Sequence, residues 1–422
     1  MAGWGDRLGT EALFRGHLTL TLPICFDPCD RGNQGNLHSY LQHTMSITQF
    51  SFPTAIHFGV GARKLVGPHL RSQGRMRALI VTDQGLASLL LMAELKADVE
   101  SAGLAVSVFS GVFGNPTAHQ VTSGAAAYRA FDADCVVGVG GGAALDVAKI
   151  VGLFATHPGE VLDYAWDHPE VRPITATLPY FVAVPTTSGT GSEVGRSSVI
   201  SEEHSGIKRV IFSPLILARV VFADPELTVG LPASVTAATG MDALTHNIES
   251  YLSPAYHPMC DGIALEGTRI AARALVKAVR DPGNLQARAD MMMSSMMGAI
   301  AFQKDLGAVH SCAHALGTVY GMHHGLANAL MIEPVLNFNL SAAPAKFTEL
   351  AHCVGVASAD AFVPWLAHLK QQIDIPAGLE SVGVKRDQFA LMVEVASKDS
   401  CHQTNPRPCS PADFERFFDE AF

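Results

Sequence analysis

The chain has 422 residues, of which 48% are hydrophobic and only 16% charged, with a formal net charge of −10. Such a length allows about two or three domains, and so few charges fit a large buried fraction with an oligomer surface besides. The acidic balance argues against nucleic-acid and anionic-membrane partners, and no apolar run reaches the roughly 18–20 residues a membrane span needs.

Residues 1–44 show no sustained period and many breakers, without the basic start, apolar core and cleavage site of a signal peptide. They are expected to form a poorly ordered extension, with Met45 an alternative start because organised sequence follows at once. The eight cysteines contain no CxxC pair; Cys25 and Cys29 form an isolated CxxxC. Reduced thiols in a cytoplasmic protein are the expectation.

From Arg77 strands and helices alternate. Ala78 to Thr82 predicts a strand, followed by a helical stretch to about Ala102. Val106 to Phe109 predicts a strand, Thr117 to Phe131 a helix announced by Asn115 and Pro116, Cys135 to Val139 a buried strand, and Ala143 to Phe154 a helix. Phe181 to Val184 adds a strand, and Ser197 to Ile200 with Val210 to Phe212 suggests a hairpin. Short apolar strands separated by helices indicate a parallel sheet covered on both faces. After Asp224 and Pro225 long helical stretches take over: Ala233 to Tyr251, Met259 to Val279, Leu285 to Phe302 and Gly325 to Phe338. The methionines from Met291 to Met297 are expected to fill core space. The expected organisation is an α/β nucleotide-binding domain over residues 45–228 and an all-α domain over 229–422, with a cleft between them.

Gly140, Gly141 and Gly142 lie between a strand and a helix. Without β-carbons the backbone there admits a phosphate, and the helix start offers free N–H groups and a positive dipole end. Taken alone, three glycines also make an ordinary tight turn, and neither GxGxxG nor a P-loop is present. A second loop rich in hydroxyls and glycines, PTTSGTGSE from Pro185 to Glu193, follows strand FVAV, at the kind of strand end where α/β sheets bind ligands. Asp83 closes the strand ALIVT, where a carboxylate can hold an adenosine ribose and repel a 2′-phosphate, favouring NAD over NADP. It serves equally well as a helix N-cap.

Asp242 and His246 are four apart and share one helix face, and His310 and His314 repeat that spacing. Asp242 and His246 together with His310 and His324 offer a carboxylate and three imidazoles, a suitable set for Fe²⁺ or Zn²⁺. A structural zinc site would normally contain thiolates, so this set points to an enzyme.

Taken together these segments resemble the iron-containing (group III) alcohol dehydrogenases. GGGAALDVAK is similar to that family's first cofactor motif and PTTSGTGSE to its second. DPELTVGLPASVTAATGMDALTHNIESY and GAVHSCAHALGTVYGMHHGLANA resemble its two metal segments, and NPRP its tail motif. The resemblance runs from about residue 46 to the C-terminus. It implies a dehydroquinate synthase-like architecture: an α/β dinucleotide-binding domain, then a helical domain, with the site in the cleft. It implies Asp242, His246, His310 and His324 as metal ligands, the step from His310 selecting His324 over His323. It places the pyrophosphate at Gly140, Gly141, Gly142 and Ala143, with Asp146 in the same motif. It places the nicotinamide-side loop at Thr186, Thr187, Thr190 and Ser192, and Lys208 along the cofactor. His314 matches a histidine near the substrate and is a candidate proton relay, or else a packed, hydrogen-bonded histidine beside the metal.

Three positions depart from the pattern: Ala143 replaces a serine, Ala218 a proline and Asp305 a glycine. The implied activity is an NAD-dependent, metal-assisted alcohol dehydrogenase acting on a small alcohol or hydroxy acid, in a homodimer or higher homo-oligomer. A lyase of the dehydroquinate synthase type is the alternative. It would need basic residues near the metal, and the two metal segments have none; Arg269, Arg273, Lys277, Arg280, Arg288 and Lys304 are expected on solvated helix faces. A non-catalytic NAD-binding protein is the third possibility, which four intact ligands oppose.

Overall fold

The computed structural model describes residue 52, residues 54–204 and residues 206–422. The expectations for residues 1–44, for Met45 as a start and for Cys25 and Cys29 lie outside the described residues.

Among the described residues there are eight strands: β1 (Ala55–Phe58), β2 (Arg77–Asp83), β3 (Ala105–Val112), β4 (Cys135–Gly140), β5 (Tyr180–Pro185), β6 (Ser197–Ser201), β7 (Lys208–Phe212) and β8 (Val220–Ala223). Six form one sheet in the order β1-β8-β5-β4-β2-β3, and every pairing is parallel. β6 and β7 pair antiparallel beside it, the hairpin expected from the sequence. Parallel strands need crossovers. Here they are α1 (Val66–Ser72), α2 (Gln84–Ala87), α3 (Leu90–Ser101), α4 (Ala118–Ala130) and α5 (Gly142–Thr156). One apolar cluster lies on each sheet face, built in part from alternate residues of the same strands: Leu79 and Val81 on one side, Ala78 and Ile80 on the other. Val136, Val137 and Val139 of β4 are fully buried, each stabilising the fold by about 1.5–3 kcal/mol relative to exposure.

The strand order turns at β2 and β4: β3 lies beyond β2, and β4, β5 and β8 extend the other way. The carboxyl ends of β2, β4 and β5 are therefore neighbours at a switch point, where open α/β sheets bind ligands. Asp83, the triple glycine and the Pro185 loop stand at those three ends.

The last strand of the sheet ends at Ala223, and the next long helix opens at Ala233. From there run α6 (Ala233–Leu252), α7 (Pro258–Arg280), α8 (Leu285–Ala301), α9 (Ala308–Tyr320), α10 (His324–Leu340), α11 (Pro344–Val354), α12 (Phe362–Gln372), α13 (Phe389–Lys398) and α14 (Pro411–Glu420). α6 is buried from Thr236 to Leu252 without interruption. A helix buried all round lies in the middle of a core, so each polar side chain on it needs a partner. The described residues all fall in one compact unit. Met292 and Met296 of α8 pack into a sheet-face cluster while Met291 packs among the helices, so the methionines do fill core space and join the two halves.

Arg288 and Lys304 depart from expectation. They are 2% and 1% exposed, not on solvated faces. Arg269, Arg273 and Arg280 do lie at the surface, paired with Glu266, Asp290 and Asp374.

Candidate metal and cofactor site

Asp242 and His246 project from one face of α6, His310 from the first turn of α9, and His324 from the first residue of α10. The Asp242 Oδ1 atom lies 3.7 Å from His246 Nε2, 4.0 Å from His310 Nε2 and 3.5 Å from His324 Nε2. All four ligand atoms fall within 4.8 Å of one another. Tetrahedral bonds of about 2.1 Å set ligand atoms about 3.4 Å apart, so the spacing fits a divalent ion. His324 joins this cluster and His323 does not.

The donor set fits as well. Burial, reinforced by neighbouring His246, holds the His310 imidazole well below its usual pKa. Burial, together with Lys208, does the same to His324. Neutral imidazoles with free lone pairs are what a metal requires. His310 Nδ1 donates to Glu249 Oε2 at 2.5 Å, which fixes the tautomer and leaves Nε2 turned to the cluster. Glu249 Oε1 also accepts from the Val309 amide at 2.8 Å. Burial raises the Glu249 carboxyl to about 7, against the pull of those hydrogen bonds. Asn328, one turn along α10 from His324, donates from Nδ2 to Asp242 Oδ1 at 2.8 Å and lies 3.3 Å from the Nε2 atoms of His310 and His324.

His314 is partly buried beside the cluster, its ring stacked on His324 with centroids 5.3 Å apart. Its Nδ1 donates to Asp399 Oδ2 at 2.8 Å, leaving Nε2 as an acceptor. Asp399, just past the end of α13, also accepts from Ser311 Oγ and the Cys401 amide. Burial alone would raise its carboxyl, but His314 and these donors hold it well below the usual carboxylate range. Lys208 on β7 brings Nζ close to Gly317 of α9. Burial lowers its pKa, opposed by the carboxylates of Asp242, Asp399 and Asp146. Asp305 has φ 63° and ψ −178°, a backbone conformation that favours glycine.

At the carboxyl ends of β4 and β5 the two candidate cofactor loops interlock. Gly140 has φ 147°, and a β-carbon there would sit 2.6 Å from Ala144 Cβ. A β-carbon on Gly141 would lie 3.2 Å from Thr187, and one on Gly142 would lie 2.6 Å from Thr190. The Thr186 amide donates to the Gly140 carbonyl at 3.0 Å. Gly141 caps α5, so the amides of Gly142, Ala143 and Ala144 have no partner within the helix and face its mouth. Asp83 caps α2 through Oδ1, accepting from Leu86 at 2.9 Å, while its Oδ2 lies beside Gly140. Both roles considered for Asp83 are thus geometrically compatible.

Asp146 and Ser192 are occupied with each other. Ser192 Oγ donates to Asp146 Oδ1 at 2.6 Å and accepts from buried Lys149 at 2.8 Å, and Asp146 Oδ2 accepts from the Val199 amide. Their side chains tie α5 to the second loop. The loop is seated on the helical half: Gly189 packs on Thr239 of α6, and Gly191 on Ala299 of α8. Since Thr239 lies one turn before Asp242, the second loop and the Asp242 cluster rest on one helix.

Glu249, Asn328 and Asp399 were missed in the sequence. The first two lie inside the quoted metal segments, and that position was the only signal available; Asp399 precedes NPRP by a few residues.

Two family models cover most of the described chain: iron-containing alcohol dehydrogenase over residues 53–225, and the C-terminal part of the same family over residues 236–422. A 4-hydroxybutyrate dehydrogenase from Cupriavidus necator is 39% identical over 377 residues, 87% of this chain and 98% of that one. A 1,3-propanediol dehydrogenase from Klebsiella pneumoniae is 38% identical over 391 residues, 90% of this chain and all of that one. The crystal structure of a 1,3-propanediol oxidoreductase superposes with a TM-score of 0.85 at 37% identity, over 89% of this chain and 100% of that one. A sulfoacetaldehyde reductase from Bifidobacterium kashiwanohense in complex with NAD⁺ gives 0.83 at 27% identity, over 89% and 99%. With matching models on both halves, near full-length relatives and the same fold, the chain belongs to the iron-containing alcohol dehydrogenase family.

Proposed function

We propose that this chain is a metal-dependent NAD(H) alcohol dehydrogenase, with Asp242, His246, His310 and His324 holding Fe²⁺ and Zn²⁺ as the alternative ion. The observation that carries this reading is the buried meeting of Asp242 Oδ1 with three imidazole Nε2 atoms. In the proposed enzyme residues 45–228 bind NAD and residues 229–422 bind metal and substrate. Bound there, the ion supplies Lewis acidity to an alcohol oxygen and NAD supplies the hydride acceptor.

The chain's own groups do the rest. Gly140, Gly141, Gly142 and Ala143 offer backbone N–H groups to the pyrophosphate. Thr186, Thr187 and Thr190 wall the nicotinamide side, with Asp146 and Ser192 bracing them. Asp83 Oδ2 takes the adenosine ribose and disfavours a 2′-phosphate. His314 Nε2 accepts the proton released by the alcohol, and Asp399 holds the ring in the accepting tautomer and stabilises the resulting imidazolium. Lys208 places a positive charge between the two sites.

The lyase alternative is not favoured. Arg269, Arg273 and Arg280 pair at the surface, and Lys304 pairs with Asp261, so each of these cations is already committed to a carboxylate. The six cysteines among the described residues are free, which suits a reducing cytoplasm, and among those residues no single helix is long and apolar enough to cross a membrane. We also propose a homodimer or larger homo-oligomer.

The test is metal content by mass spectrometry on anaerobically purified protein, paired with NAD reduction across a panel that includes 4-hydroxybutyrate, 1,3-propanediol and short primary alcohols. About one iron per chain is expected with alcohol-dependent NADH formation. Protein that stays inactive after Fe²⁺ and Zn²⁺ are supplied would remove the proposal.

A further inference from the structure

Arg288 lies in the first turn of α8 and has no acidic partner. Its Nη1 donates to Thr236 Oγ1 at 2.8 Å and its Nε to the Pro282 carbonyl at 3.1 Å, while Nη2 is buried without a hydrogen-bond partner. Burial alone lowers its pKa, and no opposite charge acts on it. A guanidinium out of water and unpaired is far costlier than two neutral hydrogen bonds return, so such a group calls for an anion.

Beside it is a cavity of about 10 Å³, lined by Arg288, Ser188, Thr236, Thr239, Leu231 and Met291 among others, with no carboxylate in its wall. Thr239 Oγ donates to the Val235 carbonyl and is not available. Thr236 Oγ1 accepts from Arg288, so its own proton is free to point at a ligand. Thr236 is in the first turn of α6 as Arg288 is in that of α8, so two positive helix ends add to the guanidinium. The small volume and the apolar Leu231 and Met291 disfavour sulfate, phosphate and carboxylates.

We propose that Arg288 and this cavity bind one halide-sized monovalent anion, chloride under cellular conditions, lodged beneath the second cofactor loop. Ser188 belongs to that loop and precedes Gly189, which rests on Thr239. The anion thus ties the loop to the helix bearing Asp242 and His246.

Crystals of the full chain grown in sodium bromide and measured at the bromine absorption edge give the direct test. An anomalous peak is expected within hydrogen-bonding reach of Arg288 Nη2. In solution, thermal unfolding is followed in sodium chloride, sodium bromide and sodium gluconate at equal ionic strength. The halides are expected to raise the midpoint saturably, by about 2 °C or more, and gluconate to leave it unchanged. Arg288→Gln should abolish the halide-specific rise. Thr236→Val, which keeps the guanidinium, should raise the half-saturating halide concentration about tenfold. A water in place of bromine in the cavity, or equal stabilisation by gluconate, overturns the proposal even if Arg288→Gln fails to fold.

Discussion

Asp399 accepts three hydrogen bonds, and the one from His314 decides which imidazole nitrogen faces the cluster. Asp399→Asn removes the charge that favours a protonated imidazole while keeping the volume. The expected result is a fall in kcat for alcohol oxidation of about 10²-fold or more. Metal content should stay unchanged, because Asp399 touches none of the four ligands. An unchanged kcat would take the proton relay away from His314. Asp83→Gly tests the cofactor end: it removes the carboxylate beside Gly140, so the ratio of NAD to NADP turnover should fall about tenfold or more. An unchanged ratio would leave Asp83 as a helix cap only. At this scale the sequence was informative where function is concentrated in short segments. Asp242 and His246 are readable as one helix face, and the glycines as a tight turn between strand and helix. Glu249, Asn328 and Asp399 were not readable, because each acts on a partner 61, 86 or 85 residues away. A glutamate or asparagine on a helix carries no local sign of being buried.

Among the elements, α6 explains why the site is rigid. It packs against α7, α8 and α10, and its interface with α10 is close enough to be tested with one methyl group. Gly325 follows His324, and a β-carbon there would lie 2.1 Å from the Ala238 carbonyl oxygen and 3.2 Å from Asp242 Cβ. Both obstacles belong to a buried helix and neither is a flexible side-chain tip. Gly325→Ala should therefore push α10 off α6, destabilise the protein by about 1–3 kcal/mol and loosen metal binding through displacement of His324. Denaturant unfolding and metal content check both; wild-type values for both would mean that the helices can part without strain. Four long helices of this half, α6, α7, α8 and α10, were legible from their length and period. β1 and β8 were not. β8 is four apolar residues in a segment that carries no alternation. β1 is a largely exposed edge strand whose place comes from pairing with β8, 165 residues later at Ala55 and Val220. Pairing over such separations leaves no local pattern to read.

For the molecule as a whole, the proposed ion does more than chemistry. Its ligands come from α6, α9 and α10, so an ion bound there joins three helices that otherwise meet around a buried carboxylate and three imidazoles. Whatever binds the folded chain and not the unfolded one adds stability by mass action, about 4 kcal/mol when the free ion stands at 1,000 times its dissociation constant. Exhaustive anaerobic chelation should therefore lower the unfolding midpoint of the wild type, and Fe²⁺ or Zn²⁺ should restore it. His310→Ala should unfold at one midpoint whether or not metal is supplied, and should lack both metal and activity. The comparison separates a metal site from a buried polar cluster that merely packs well: the cluster would keep one midpoint in both wild-type preparations. A wild type indifferent to chelation, with full activity, would contradict the assignment of all four ligands together, since none of them has another role here that requires an ion.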